Sequence, residues 1–198
     1  MAAVAIIGGG VSGLAAAFAL RRPGREVTVF EAGPRLGGRA LTERHGSALF
    51  DVGAQFFRTE TPAAEKLVLH ELPAGELIDI RADVRPFTRD GAVGEGDPVQ
   101  NRLPKWVYRQ GIGQLAELLA REAGANVRLG WACTRLQHSP EGWIVEGEMG
   151  AAGPFEAVVA TPPPPALGKV IERSSFEGEA REGLREALAP SRYTRSSR

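Results

Sequence analysis

The chain has 198 residues, 43% of them apolar and 24% charged, enough for one domain with a sizeable core or one domain and part of another. Lys plus Arg and Asp plus Glu each total 24, so there is no net field to draw nucleic acid or an anionic membrane. The single cysteine, Cys133, excludes an intrachain disulfide and, with it, a disulfide-stapled secreted scaffold.

Met1 to Leu20 is apolar and Ala-rich, yet it lacks a basic leader. Gly8, Gly9, Gly10 and Gly13 interrupt it before the first charge at Arg21, which argues against a signal peptide. No other stretch is long and apolar enough to span a bilayer, and the expected location is the cytoplasm. Ala2 to Ile7 reads as a strand buried on both faces, because it is a short apolar run ended by glycines. Val11 to Arg22 follows with Leu14, Ala15, Phe18 and Ala19 at helical spacing, and Pro23-Gly24 stops it. Glu26 to Phe30 is β-branched and strand-like, ending at Glu31. These pieces form a β-α-β unit with parallel strands and a right-handed crossover.

Beyond it, the spacing predicts a helix over Ala63 to Leu72 and turns or loop over Asp90 to Asp97. Gly111 to Ala123 reads as an amphipathic helix closed by Gly124. Val127 to Leu129, Ala132 to Gln137 and Trp143 to Glu148 read as short strands, the last two joined as a hairpin. Phe155 to Thr161 is one more apolar strand, ended by Pro162 to Pro165, for which a strand terminator outweighs an SH3-type ligand. A last helix after Phe176, carrying Ala180, Leu184, Ala187 and Leu188, ends at Pro190; the Ser/Arg-rich tail from Ser191 has no core pattern.

Gly8-x-Gly10-x-x-Gly13 lies between the first strand and the first helix, and this context makes the motif informative. Gly8 permits the tight turn, Gly10 lets backbone approach a pyrophosphate, and Gly13 lets helix and strand pack closely. The N–H groups and dipole of the helix start then face a diphosphate. Glu31, at the end of the second strand, suits a ribose diol and repels a 2′-phosphate. The motif alone leaves NAD and FAD open.

After Glu31 come Arg35-Leu36-Gly37-Gly38-Arg39 and then Phe50-Asp51-Val52-Gly53-Ala54-Gln55-Phe56-Phe57. With these segments the sequence resembles the flavin-containing amine oxidase superfamily, and within it the renalase-like proteins. Gly142-Trp143-Ile144-Val145 and Val158-Val159-Ala160-Thr161-Pro162 extend the resemblance over most of residues 1–170. It implies an α/β fold: a Rossmann-like FAD/NAD(P)-binding domain with a β-meander insertion and an incomplete substrate domain. The flavin domain is expected over 1–61 and 105–165, an insertion on the substrate side over 62–104, and the start of a truncated substrate domain with a disordered tail over 166–198.

The implied cofactor is FAD. Gly8, Gly10, Ser12 and Gly13 would meet its diphosphate, Glu31 the adenosine ribose, and Arg39 a phosphate as its cation, with Val11, Ala32, Arg35 and Gly38 as further cofactor-binding residues. Gly53, Ala54, Gln55 and Phe56 would run beside the flavin, and the backbone of Cys133 beside the adenine. The bland alternatives are a surface role for Arg39, a turn role for Gln55, and core packing for at least one of Phe56 and Phe57. The Cys133 thiol reads as a small buried hydrophobe rather than a nucleophile. His45, His70 and His138 have no partners at metal-ligand spacing, so no metal is expected. No catalytic acid or base is named.

The implied activity is an FAD-dependent oxidoreductase taking hydride from an amine or dihydronicotinamide-type substrate, with molecular oxygen as electron acceptor. The alternatives are a non-catalytic nucleotide-binding remnant and an NAD-dependent dehydrogenase. Family members are far longer, so truncation and self-association through the incomplete domain are expected.

Overall fold

The computed structural model describes residues 2–81, 84–176 and 178–189. In chain order the elements are β1 (Ala2–Ile7), α1 (Val11–Leu20), β2 (Arg25–Phe30), β3 (Thr42–His45), β4 (Ala48–Asp51) and α2 (Pro62–Lys66), which runs into a π-helical turn (Leu67–Glu71). Then come β5 (Leu77–Asp79), α3 (Pro98–Arg102), β6 (Trp106–Tyr108), α4 (Gln114–Ala123), β7 (Asn126–Arg128), β8 (Cys133–Ser139), β9 (Gly142–Gly147), β10 (Gly150–Phe155), β11 (Ala157–Ala160), α5 (Pro164–Arg173) and α6 (Glu179–Leu188). They fall into two compact units, residues 1–38 with 119–198, and residues 39–118.

The first unit is built on a four-stranded sheet in the order β11-β1-β2-β7, with every pairing parallel. Parallel strands covered on both faces need continuous apolar runs, and Val4, Ala5, Ile6, Ile7, Val27, Val29 and Phe30 are all buried. Alternation along the strands divides them. Ala5, Ile7 and Phe30 pack with Leu136, Val145 and Phe155 of the antiparallel sheet β8–β9–β10 and with Leu167 and Ile171 of α5. Val4, Ile6 and Val29 point the other way, where α1 lies against β1 and β2. Phe30 meets Trp131 and Phe155 edge-on, with ring centroids 5.1 and 5.9 Å away. A side chain of this kind contributes about 1.5–3 kcal/mol by its burial. The register sets Ile7 level with Phe30 and Ala160. Gly8, Glu31 and Thr161 therefore leave the sheet side by side at its carboxyl edge.

The expected β-α-β unit is present, with α1 ending at Leu20 because Arg21 turns extended (φ −60°, ψ 128°). Two differences have a clear physical cause. The run from Phe155 to Thr161 is two strands, since Phe155 ends β10 and β11 begins at Ala157. The prolines after Thr161 end β11 but also begin a helix. Pro164 opens α5, where a fixed φ is already helical and a missing N–H costs nothing. The Ser174 hydroxyl then ties α5 to β8, donating to the Val170 carbonyl at 2.6 Å and accepting from the Leu136 N–H at 2.9 Å. The expected tail, 191–198, and Pro190 lie outside the described residues.

In the second unit, β3 and β4 form a hairpin and β5 pairs antiparallel with β6. The expected helix over Ala63 to Leu72 is split. α2 carries a Thr61 side-chain cap on the Ala64 N–H at 3.2 Å, and the chain widens into the π-turn before Leu72. The stretch from Asp90 to Asp97 is loop, with a lone bridge between Phe87 and Val93. Asp51 and Thr42 hold the turn before α4. The Asp51 Oδ1 accepts from the Thr42 hydroxyl (2.6 Å) and the Ile112 N–H (3.0 Å), and the Gly113 N–H donates to Thr42 Oγ1 (2.9 Å). Lys105 is buried, its Nζ donating to the Gln100 carbonyl and to Asn101 Oδ1.

Candidate dinucleotide-binding site

The turn after β1 is closed from three sides. Gly8 has φ +101°, a conformation L side chains rarely adopt, and its N–H donates to the Phe30 carbonyl at 2.8 Å. From the end of β11, the Thr161 hydroxyl donates to the Ile7 carbonyl at 2.9 Å and lies 3.3 Å from that of Gly8. A Cβ on Gly13 would stand 2.0 Å from the Gly8 carbonyl oxygen, so α1 touches the turn that launches it. A Cβ on Gly10 would meet nothing within 4 Å, so this side of the turn is open. Gly10 is also the N-cap of the ten-residue α1, no side chain caps that helix, and its first turn holds no acid. Its unmatched N–H groups and the positive end of its dipole make an anion site.

Glu31 and the loop after it complete the arrangement. The Gly9 N–H donates to Glu31 Oε2 at 2.6 Å and the Gly33 N–H to Oε1 at 2.7 Å. These are short, charge-assisted bonds. They leave each oxygen a further acceptor position for an incoming hydroxyl. The Gly37 N–H donates to the Gly9 carbonyl at 2.9 Å, and a Cβ on Gly38 would come within 3.3 Å of the Gly10 Cα. The loop thus folds over the glycine turn, with Leu36 against Gly9: a Cβ there would be 2.6 Å from Leu36 Cδ2.

This geometry fits the ADP portion of FAD: an open, uncapped helix start for the diphosphate beside a carboxylate for the ribose. The structure brings Gly8, Gly10, Val11, Gly13, Glu31 and Gly38 together. Ser12 in the first turn of α1, and Ala32 and Arg35 in the loop, are exposed. Cys133 starts β8, partly buried, with its thiol pushed up to about 11 by burial; at neutral pH it is no nucleophile. Arg39, Gly53, Ala54, Gln55 and Phe56 belong to the second unit. There the Ala54 N–H donates to the Arg39 carbonyl at 2.8 Å, and a Cβ on Gly53 would be 1.9 Å from the same oxygen. Gln55 is exposed. Phe56 and Phe57 are both half-buried, so neither is the expected core aromatic; Phe57 stacks on Tyr108 with centroids 6.1 Å apart.

Sequence reasoning missed Gly9, Gly33, Leu36 and the Thr161 hydroxyl. Gly9 had a signal, a glycine filling a variable position of the motif. For Thr161 none was available, because its contact with the turn depends on β11 pairing with β1.

A family profile for NAD(P)-binding Rossmann-like domains matches residues 6–70. One for flavin containing amine oxidoreductases matches residues 98–197, half of the chain. The chain is 42% identical over 65 residues to Protoporphyrinogen oxidase 2, chloroplastic/mitochondrial, of Arabidopsis thaliana, which covers 33% of this chain and 13% of that protein. It is 42% identical over 85 residues to Coproporphyrinogen III oxidase of Mycobacterium leprae, covering 41% of this chain and 19% of that protein. Among solved structures it is similar to a double mutant of putrescine oxidase, with TM-score 0.67 and 15% identity over 93% of this chain and 63% of that one. At that identity the likeness is one of fold. The chain covers less than two thirds of each of these proteins.

Proposed function

Because the chain belongs to the flavin containing amine oxidoreductase family, we propose that it binds FAD through its first unit and serves the oxidation of a small organic substrate. The observation that carries this reading is the uncapped start of α1 at the open Gly10, with Glu31 held beside it by the Gly9 and Gly33 N–H groups. When bound, FAD supplies the acceptor for a hydride taken from the substrate.

The chain's own residues bind and orient. The N–H groups of the first turn of α1 hold the diphosphate without a competing side chain, and Glu31 accepts from the ribose hydroxyls. Arg39 is the cation assigned to the phosphate side, and Gln55 and Phe56 are the residues assigned to the flavin. The exposure of Gln55 and the partial exposure of Phe56 leave both side chains available for such contact. For the substrate, an amine or a dihydronicotinamide bears a C–H bond beside nitrogen, whose lone pair stabilises the cation left by hydride loss. The flavin containing amine oxidoreductase match and the renalase-like segments support that class. Molecular oxygen is the acceptor proposed to take the electrons onward.

The test is anaerobic mixing of the FAD-loaded chain with putrescine, benzylamine, NADH and its ring-reduction isomers. The expected result is loss of the oxidised flavin absorbance with at least one of them. A chain whose flavin is bleached by dithionite but by none of these substrates would overturn the substrate class.

A further inference from the structure

Arg128 ends β7 level with Phe30, one strand away from Glu31. The Glu31 N–H donates to the Arg128 carbonyl at 2.9 Å, and the Trp131 N–H donates to the Glu31 carbonyl at 2.8 Å. The residue that carries the ribose acceptor is therefore bracketed by Arg128 and Trp131. The side chains form one group. The Arg128 guanidinium carbon lies 5.1 Å from the Trp131 ring centroid and 5.4 Å from that of Phe30, and Phe30 is fixed in the core.

Two features mark this group as more than packing. Among the described residues, the half-buried Arg128 guanidinium has no hydrogen bond and no carboxylate partner, and its contacts are the two rings. The Trp131 Nε1 is buried without an acceptor. It is seated against Gly147, where a Cβ would come within 2.4 Å of it. The guanidinium rests against the indole ring, and its N–H donors are unengaged among the described residues.

We propose that Arg128, supported by Trp131 and Phe30, is the residue that reads the adenine base. This inference rests on the assignment of the dinucleotide to the first unit. A ribose whose 2′- and 3′-hydroxyls donate to Glu31 carries its base on the carbon next to C2′, within reach of the residues flanking Glu31. Adenine offers a π-face to a planar cation and ring nitrogens that accept from guanidinium N–H groups. Glu31 recognises only the sugar, so discrimination of the base needs a further group, and Arg128 supplies one.

The experiment is calorimetric titration of the full chain with FAD, ADP, pyrophosphate and FMN, for the native protein, Arg128→Ala and Arg128→Lys. The expected result is about a tenfold loss of ADP affinity in Arg128→Ala, the size of a partly desolvated cation–π contact. Arg128→Lys should recover part of it, and pyrophosphate and FMN should be unchanged. The unaltered thermal melt of Arg128→Lys, which keeps the aliphatic stem on Trp131, guards against a trivial folding defect. ADP bound equally by native protein and both variants would overturn the role of Arg128 alone. An equal loss for pyrophosphate would assign Arg128 to the diphosphate and overturn adenine reading. A native chain that binds neither ADP nor FAD would overturn the site assignment itself.

Discussion

Gly13→Ala is expected to abolish FAD retention and to destabilise the first unit by at least about 3 kcal/mol, the upper end of the cost of overpacking a well-packed core. The added Cβ would stand 2.0 Å from the Gly8 carbonyl oxygen, and both partners are backbone, so no side chain can rotate away. Relief requires α1 to lift off the turn that it shares with β1, which spoils the diphosphate cradle and uncovers Leu14, Ala17 and Phe18 together. For a chain of this size, a loss of this magnitude lowers the melting temperature by roughly 10 °C. Gly10→Ala provides the contrast. Its Cβ would meet nothing, so the melt should stay within a degree or two while FAD binding weakens, because the methyl group projects into the open side of the turn. Equal melting of native protein and Gly13→Ala would mean that α1 does not press on Gly8 as the structure has it.

Glu31→Ala has the second large effect. It removes the acceptor of the Gly9 and Gly33 N–H groups together with the acceptor assigned to the ribose. A hydrogen bond to a charged group contributes about 1.5–3 kcal/mol, less where water can replace it. FAD affinity is therefore expected to fall at least about tenfold. The two roles separate by ligand: loosening of the glycine turn weakens pyrophosphate and ADP alike, whereas loss of the ribose contact weakens ADP further. Calorimetry with both ligands reads the difference, and identical losses would leave Glu31 with only the turn to hold.

What was legible in the sequence was local. The run Ala2 to Ile7, the glycines that follow it and Glu31 after the next strand each carry their meaning within a few residues, and the β1-α1-β2 unit forms where they place it. What was hidden depends on pairing. Strand β10 has the composition Gly-Ala-Ala-Gly-Pro-Phe, with no β-branched residue, and exists because β9 offers it an edge. The β3–β4 hairpin is similar: Thr-Glu-Arg-His and Ala-Leu-Phe-Asp show little alternation, and their pairing is reinforced by the Thr42 to Asp51 bond. Helix α5 was masked by its prolines, which stop a strand and start a helix with equal ease. In the site, the residue types pointed to a dinucleotide, but the sequence could not reveal that Glu31 already holds Gly9 and Gly33, or that Arg128 and Trp131 come to lie on either side of it. Those are contacts between neighbouring strands and the loops at their ends, fixed only by register.

The central claim is that this chain forms an FAD site. Its most direct measurement is the visible absorbance of the purified protein, incubated with excess FAD and then desalted. Retained flavin bands at close to one per chain, lost in Gly13→Ala, are the expected result. A colourless protein that circular dichroism shows to be folded would contradict the claim.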